Sequence, residues 1–389
     1  MEFYAKEVRE NGDLRRFIRF PWTIYKNDPC WVPPLLGEMR WKLNPRKNPF
    51  LEYGQARFFL SFNDRREVVG RIAAIFNPIH CELRQERTGF FGLFECIHSV
   101  EVAKKLLKSA NDYLSSFDCR KIIGPVNFNT NDEYGLLIEG HQESPMIMCN
   151  YALPYYHELL AACGFQKAMD LFSYRGKLGH SFPAKYMKVV QRVSANATVT
   201  VRPFDRRQRS RDIAMIREIY NQSFKEVWGF VPLSFREAEA MGQNMISFSD
   251  DELVWIADYN KKPVGFILAL PDVNEILKNL NGRLFPLGIF KFLAKRRQIQ
   301  GVRVVALAVL PEYRSIGIES LLIYRVHTRI LAGGYQRAEF SVVNDNNTRM
   351  RTILEGLGFQ AVKRYRLYQA PIIDQIPHEE SPGSRETMA

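Results

Sequence analysis

Apolar runs and helical stretches follow one another in the same order twice along this chain. In the first half, Phe3–Arg9, Arg57–Phe62 and Val68–Phe76 have the apolar content of strands, the last two forming a hairpin across Asn63 and Asp64. Asp13 is the expected cap of an early helix, with Leu14, Phe17, Ile18 and Ile24 at roughly helical spacing, and Asn27–Pro34 is a turn-rich connection. Gly89–Glu95 predicts a strand, Val100–Phe117 a helix and Lys121–Val126 a strand. After a polar loop, Tyr155–Cys163 predicts a short helix closed by Gly164 and Phe165, and Leu171–Arg175 a last strand.

The second half repeats this order in register. Val69-Gly70-Arg-Ile-Ala-Ala-Ile75 lies over Val264-Gly265-Phe-Ile-Leu-Ala-Leu270, Leu106-Leu107 over Leu321-Leu322, and Gly164-Phe165 over Gly358-Phe359. The offsets are about 195, 215 and 194 residues, so the second copy has about twenty extra residues before the strand at Val304 and the first has about twenty extra after Val126. This predicts two α/β (α+β) folds in tandem, at 1–176 and 198–370, with 177–197 as linker and 371–389 as a polar disordered tail.

The strongest local signal is Val304–Ser320. Val304–Leu310 is a short apolar strand that Pro311 ends, because proline cannot donate to a ladder. Arg314-Ser315-Ile316-Gly317 then leads into a helix from Ile318 to Leu331 that stops at Gly333-Gly334. Backbone N–H groups at such a helix start form an anion site suited to a pyrophosphate. The plainer reading is an ordinary strand–turn–helix with a surface arginine.

The pattern Val-Leu-Pro-Glu-Tyr-Arg-x-x-Gly-Ile, followed by Asn347-Thr-Arg-Met350, Leu354 and Leu357-Gly358-Phe359, resembles the two signatures of the GNAT (Gcn5-related N-acetyltransferase) superfamily. The resemblance covers 198–370. It implies two tandem GNAT-like folds, each a mixed, mostly antiparallel sheet flanked by helices. It also implies acyl-CoA as co-substrate, held by Leu307, Ala308, Val309, Arg314, Ser315, Ile316, Gly317, Ile318, Glu319 and Asn347, with an oxyanion at the backbone N–H near Val309. Two positions depart from the pattern: Glu319 stands where a small residue is usual, and Leu354 where the family often has an acidic tyrosine. Positions matching Arg314 and Gly317 in the first copy are Ser99 and Val102, so only the second copy is expected to bind acyl-CoA. The first copy is then a structural partner or supplies the acceptor site.

Further stretches, Phe17–Tyr25, Trp31–Leu36, Gly124–Phe128 with Asn131–Leu137, and Lys363–Tyr368, extend the resemblance over nearly the whole chain. They are similar to bacterial ceramide-synthase-like N-acyltransferases, which implies a long acyl chain and a lipid, sphingoid-like amine. The extra segment of the first copy is dense in donors and acceptors but flanked by apolar sequence. A carboxylate buried there could accept the amine proton, which makes Glu133 and Asp132 candidate bases, with Glu95 a third. Tyr365 and Tyr324 are candidate acids. A hydrophilic surface loop is the alternative.

The second insertion, Asp272–Gln300, interleaves leucine, isoleucine and phenylalanine with Lys291, Lys295, Arg296 and Arg297. Such a segment either lies on an anionic membrane, through 283–297, or packs on the domain with solvated basic ends. The net charge of +12 favours anionic partners. The six cysteines form no Cys-x-x-Cys pair and no zinc spacing, so a metal is not expected. Without a signal-like or membrane-spanning run, a cytoplasmic location is expected, peripheral on the inner membrane face. The rival readings are a tRNA-dependent aminoacyl transferase, weakened by the absence of a helical arm, and a non-catalytic CoA- or lipid-binding protein. Nucleic acid is not an expected partner.

Overall fold

The structure, a computed structural model, describes residues 2–177, 182–246, 249–314 and 316–372. Its strands are β1 (Tyr4–Glu7), β2 (Gln55–Phe62), β3 (Val68–Phe76), β4 (Thr88–Cys96), β5 (Lys121–Gly124), β6 (Leu136–Glu139), β7 (Gln166–Lys177), β8 (Val199–Pro203), β9 (Val254–Tyr259), β10 (Lys262–Pro271), β11 (Gly301–Val309), β12 (Arg337–Asn344) and β13 (Gln360–Pro371). All join one sheet in the order β1-β2-β3-β4-β5-β13-β7-β12-β11-β10-β9-β8, with β6 also beside β13.

The order reads the same from both ends, β1 to β5 mirrored by β8 to β12. At the centre the closing strands are exchanged. β7, from the first half, pairs with β12, while β13, from the second, pairs with β5; both are antiparallel, as is the β7–β13 pair between them. Only β4–β5 and β11–β12 are parallel.

The repeated Val-Gly pair has a packing cause. A Cβ at Gly70 would lie 2.7 Å from Leu106, and one at Gly265 would lie 3.0 Å from the Ala308 carbonyl and 3.5 Å from Leu322. The Val100–Ser115 and Ile318–Ala332 helices thus press on their sheets where the strand lacks a side chain. Each half has its own apolar core, one around Ile72, Phe91 and Leu106 and the other around Ile267, Val302 and Leu322.

One local expectation changes. Asp13 does not cap its helix, which runs Asn11–Arg19 behind Glu10; its carboxylate instead meets Lys6 at 3.2 Å in the first turn. The linker expected at 177–197 holds a helix, Ala184–Ser194, packed on Ile318–Ala332. The tail expected from 371 lies outside the described residues beyond Ile372.

Candidate active site

Each parallel pair opens into a V. β11 and β12 are paired only where Gly301–Val304 meets Arg337–Phe340, and then diverge. At the same level Val305 is bulged out of the β10 ladder, because Leu268 pairs with Ala306 but Ala269 pairs with Val304. Buried Arg303 fixes this apex. Its guanidinium donates to the Ser341 carbonyl at 2.7 Å and to the Met148 carbonyl at 2.8 Å, tying the V to the first half. The β4–β5 V carries a matching bulge, but its backbone donor is taken: Asn127 Oδ1 accepts from the Leu93 N–H at 2.9 Å.

A cavity of about 280 Å³ runs through the open V. Val304–Leu307 and Phe340–Asn344 form its walls, Asn347 and Met350 one end, and Ile213, Ile216, Met241 and Met245 its cover. These last come from the helices Arg209–Ser223 and Phe235–Ile246. The lining is mostly apolar, and both halves lend polar groups, the first half's being Thr130, Asn131, Asp132 and Tyr134.

The Gly124–Gly135 loop crosses to the second half and is ordered there. Thr130 Oγ1 donates to the Gly229 carbonyl at 2.8 Å, Tyr220 OH donates to Asn131 Oδ1 at 2.6 Å, and Asn129 Nδ2 donates to Glu237 at 3.1 Å. This brings Asp132 and Tyr134 to the cavity wall. Beside them, Lys42 Nζ donates to both oxygens of Glu133 at 2.9 and 3.0 Å and lies 3.4 Å from Asp132 and 3.6 Å from Glu38.

Burial, reinforced by the Glu133 charge, raises the Asp132 carboxyl to about 7 against the pull of Lys42. Burial also acts to raise Glu133, but the charge and hydrogen bonds of Lys42 outweigh it and hold Glu133 below its usual value. Of the pair, Asp132 is thus the carboxyl pushed towards neutrality. It also lines a second cavity, of about 580 Å³, and the two share Met148, Met241, Met245 and Leu270 as well.

The other candidates are dispersed. Glu95 accepts from Tyr25 and Tyr156, both at 2.7 Å, and lies 3.9 Å from Arg71, as part of a buried network on the second cavity. Burial raises its carboxyl, opposed by Arg71. Tyr365 is fully buried and lines neither cavity. Tyr324 stacks edge-on against Phe182 and also lines neither.

Around the expected phosphate loop, Gly317 has φ +97° and starts the Ile318–Ala332 helix with no side-chain cap. The N–H groups of Arg314 and Ile316 are used in turns, leaving those of Gly317 and Ile318 unpaired among the described residues. Arg314 is a brace, donating to the Val309 carbonyl at 3.1 Å and to the Ser223 carbonyl at 2.9 Å. Glu319 takes the helix's own N–H and pairs with Arg349, so a carboxylate occupies part of the anion position. Helix Ala184–Ser194 covers Gly317, where a Cβ would lie 2.5 Å from Val189. Leu307 and Asn347 line the open V, whereas Ala308 and Val309 are buried in the core. Ser315 lies outside the described residues. The bulge at Val305 moves the irregular backbone at the apex four residues from the expected Val309.

Sequence reasoning missed Lys42 and Arg303. Lys42 lies ninety residues from its partners in a segment with no motif, and nothing local distinguishes it from a surface lysine.

Two matched folds sharing a sheet, one with an open V lined by Asp132, have the architecture of a tandem N-acyltransferase of the GNAT type. Residues 213–359 match the acetyltransferase (GNAT) family. Protein YghO of Escherichia coli (strain K12) is 33% identical over 369 residues, covering 93% of each chain. Bacterial ceramide synthase of Caulobacter vibrioides (strain NA1000 / CB15N) is 28% identical over 369 residues, 93% of this chain and 96% of that one. Among solved structures, a tandem GNAT protein from the clavulanic acid biosynthesis pathway superposes with a TM-score of 0.57 at 11% identity, covering 96% of this chain and 99% of that one. The chain belongs to the GNAT family, which uses acyl-CoA as co-substrate, and is an N-acyltransferase. Among the described residues no cluster could hold a metal, and no helix is long and apolar enough to cross a membrane.

Proposed function

We propose that this enzyme joins a long acyl chain from acyl-CoA to a primary amine of a lipid of the sphingoid type. The observation that carries this is the apolar cavity through the open V, with Asp132 on its wall. The 28% identity to a protein named as a ceramide synthase supports the same reading.

In this reading Asp132 takes a proton from the ammonium group, and the free amine attacks the thioester carbonyl. The C–N bond forms, the C–S bond breaks, and CoA leaves as the thiol, with one proton released overall. Backbone N–H groups at the apex near Val305 stabilise the oxyanion. The N–H groups of Gly317 and Ile318 hold the pyrophosphate once Arg349 turns from Glu319 towards it.

The enzyme meets an anionic membrane through 283–297. Phe285 and Leu287 are each 72% exposed and Phe290 is 68% exposed, close to Lys291, Lys295, Arg296 and Arg297. The test is turnover of acyl-CoAs from two to eighteen carbons with a sphingoid amine and with a small polar amine, products measured by mass. The expected result is a kcat/KM that rises with acyl length and is highest for the lipid amine. A preference for acetyl-CoA and the small amine would overturn the lipid reading.

A further inference from the structure

The second cavity belongs to the first half's V, and nothing in the acyl-transfer reading above uses it. It is lined on its apolar side by Val32, Leu35, Phe94, Leu136, Val273 and Leu277, so both halves and the second insertion contribute walls. Its volume of about 580 Å³ falls within the range of small-molecule sites, roughly 300–1,000 Å³. It meets the acyl cavity at Asp132.

Two features exclude CoA as its ligand. The Val100–Ser115 helix, counterpart of the phosphate helix, has its N-terminus filled: Ser99 Oγ accepts from the Val102 N–H at 3.4 Å, and Glu101 stands in the first turn. The backbone donor at the bulge, Leu93 N–H, is already taken by Asn127. A pantetheine strand has no partner there and a pyrophosphate has no cradle.

The charges facing the cavity select among other ligands. They are Glu38, Glu95, Asp132 and Glu133 against Lys42 and Arg71. Arg71 is spent on Glu95 and Lys42 on Glu133, which leaves two carboxylates, Glu38 and Asp132, in excess. An ammonium group offsets that excess, whereas a carboxylate or phosphate head is repelled.

We propose that this cleft is the acceptor's own site. It holds the single hydrocarbon chain of a cationic amine along Val32, Leu35 and Leu277, with the amino group at Asp132, where the two cavities meet. The degenerate half has thus turned from a CoA groove into an alkyl-chain groove. This rests on the reading of the acceptor as a lipid amine, but its test needs no turnover.

The test is thermal stabilisation of the full chain by dodecylamine, dodecanol and dodecanoate below their micellar concentrations, in the wild type and in Leu35→Gln and Val32→Gln. Both side chains are only partly buried, so these variants are expected to fold, and retained stabilisation by acyl-CoA checks that they have. The proposal expects stabilisation in the order amine, alcohol, carboxylate, and a loss of most of the amine effect in both variants. Affinity for n-alkylamines should rise about fourfold per methylene from C8 upward in the wild type, from roughly 0.8 kcal/mol per CH₂, and less steeply in the variants. Equal stabilisation by amine and carboxylate overturns the proposal, as does amine stabilisation that both variants keep. Dodecylamine binding that depends on Val32 and Leu35 without any turnover would sustain the cleft while refuting the acyl-transfer reading.

Discussion

Lys42 decides how the two adjacent acids differ. It holds Glu133 low, while half-buried Asp132, beside a like charge, is raised to about 7. If Asp132 is the base proposed above, kcat/KM is expected to rise with pH along a limb centred near 7. Asp132→Asn should abolish that limb and lower kcat/KM by roughly 10²–10⁴, the usual worth of a general base. Lys42→Met removes the charge that pulls Asp132 down, and with Glu38 and Glu133 facing the site the limb should move to higher pH. A limb unchanged in both variants would assign the base elsewhere. The same shift has a stability sign. A carboxyl raised on folding contributes stability in full below its ordinary value of 3.8, and loses it as pH climbs through about 7.

Glu319 carries a second residue-scale expectation. It competes with a phosphate for the start of its helix, so Glu319→Gln should tighten CoA binding about tenfold, read by titration calorimetry, as a like charge at close range costs on the order of 1–2 kcal/mol. At this scale the site was half legible. The apolar flanks of Asn127–Tyr134 marked Asp132 and Glu133 as partly buried, but choosing between them needed Lys42, which only tertiary folding brings near. Tyr365 looked available because a strand residue shows its face only once its neighbours are known, and here β6 and β7 enclose it.

The elements were easier to read than their pairing. The Val-Gly pairs and the Gly-Phe endings marked the repeat because each answers a steric demand that recurs in both halves. The exchange of β7 and β13 left no such mark, since both closing strands follow a short helix and a Gly-Phe turn and either could close either half. It follows that the halves are not separable. Calorimetry should record one unfolding transition, and ending the chain at Gly358, before β13, should destabilise the β5 edge of the first half as much as the second. Two transitions, or a first half indifferent to that truncation, would contradict a shared sheet. The segment between the halves holds the amphipathic helix Ala184–Ser194, which finds a partner face on Ile318–Ala332.

Across the whole molecule, positive charge and exposed apolar surface coincide at one place. No acidic residue occurs from Ile276 to Gln300, and among the described residues Lys291, Lys295, Arg296 and Arg297 form no ion pair. Co-sedimentation is expected with vesicles containing phosphatidylglycerol and not with phosphatidylcholine alone, weakening as salt rises. Phe285→Ser combined with Phe290→Ser should reduce it at least tenfold, the burial of one such side chain being worth about 1.5–3 kcal/mol. Binding that ignores lipid charge would refute an electrostatic contact.

The exchanged strands also bear on how the protein is made. When β5 leaves the ribosome its partner β13 has yet to be synthesised, about 240 residues away, a wait of roughly 12–50 s at 5–20 residues per second. Throughout that interval the nascent first half carries an unpaired strand edge of the kind that recruits other chains. Synthesis of β13, rather than completion of the first half, is the event that lets the β5 edge close.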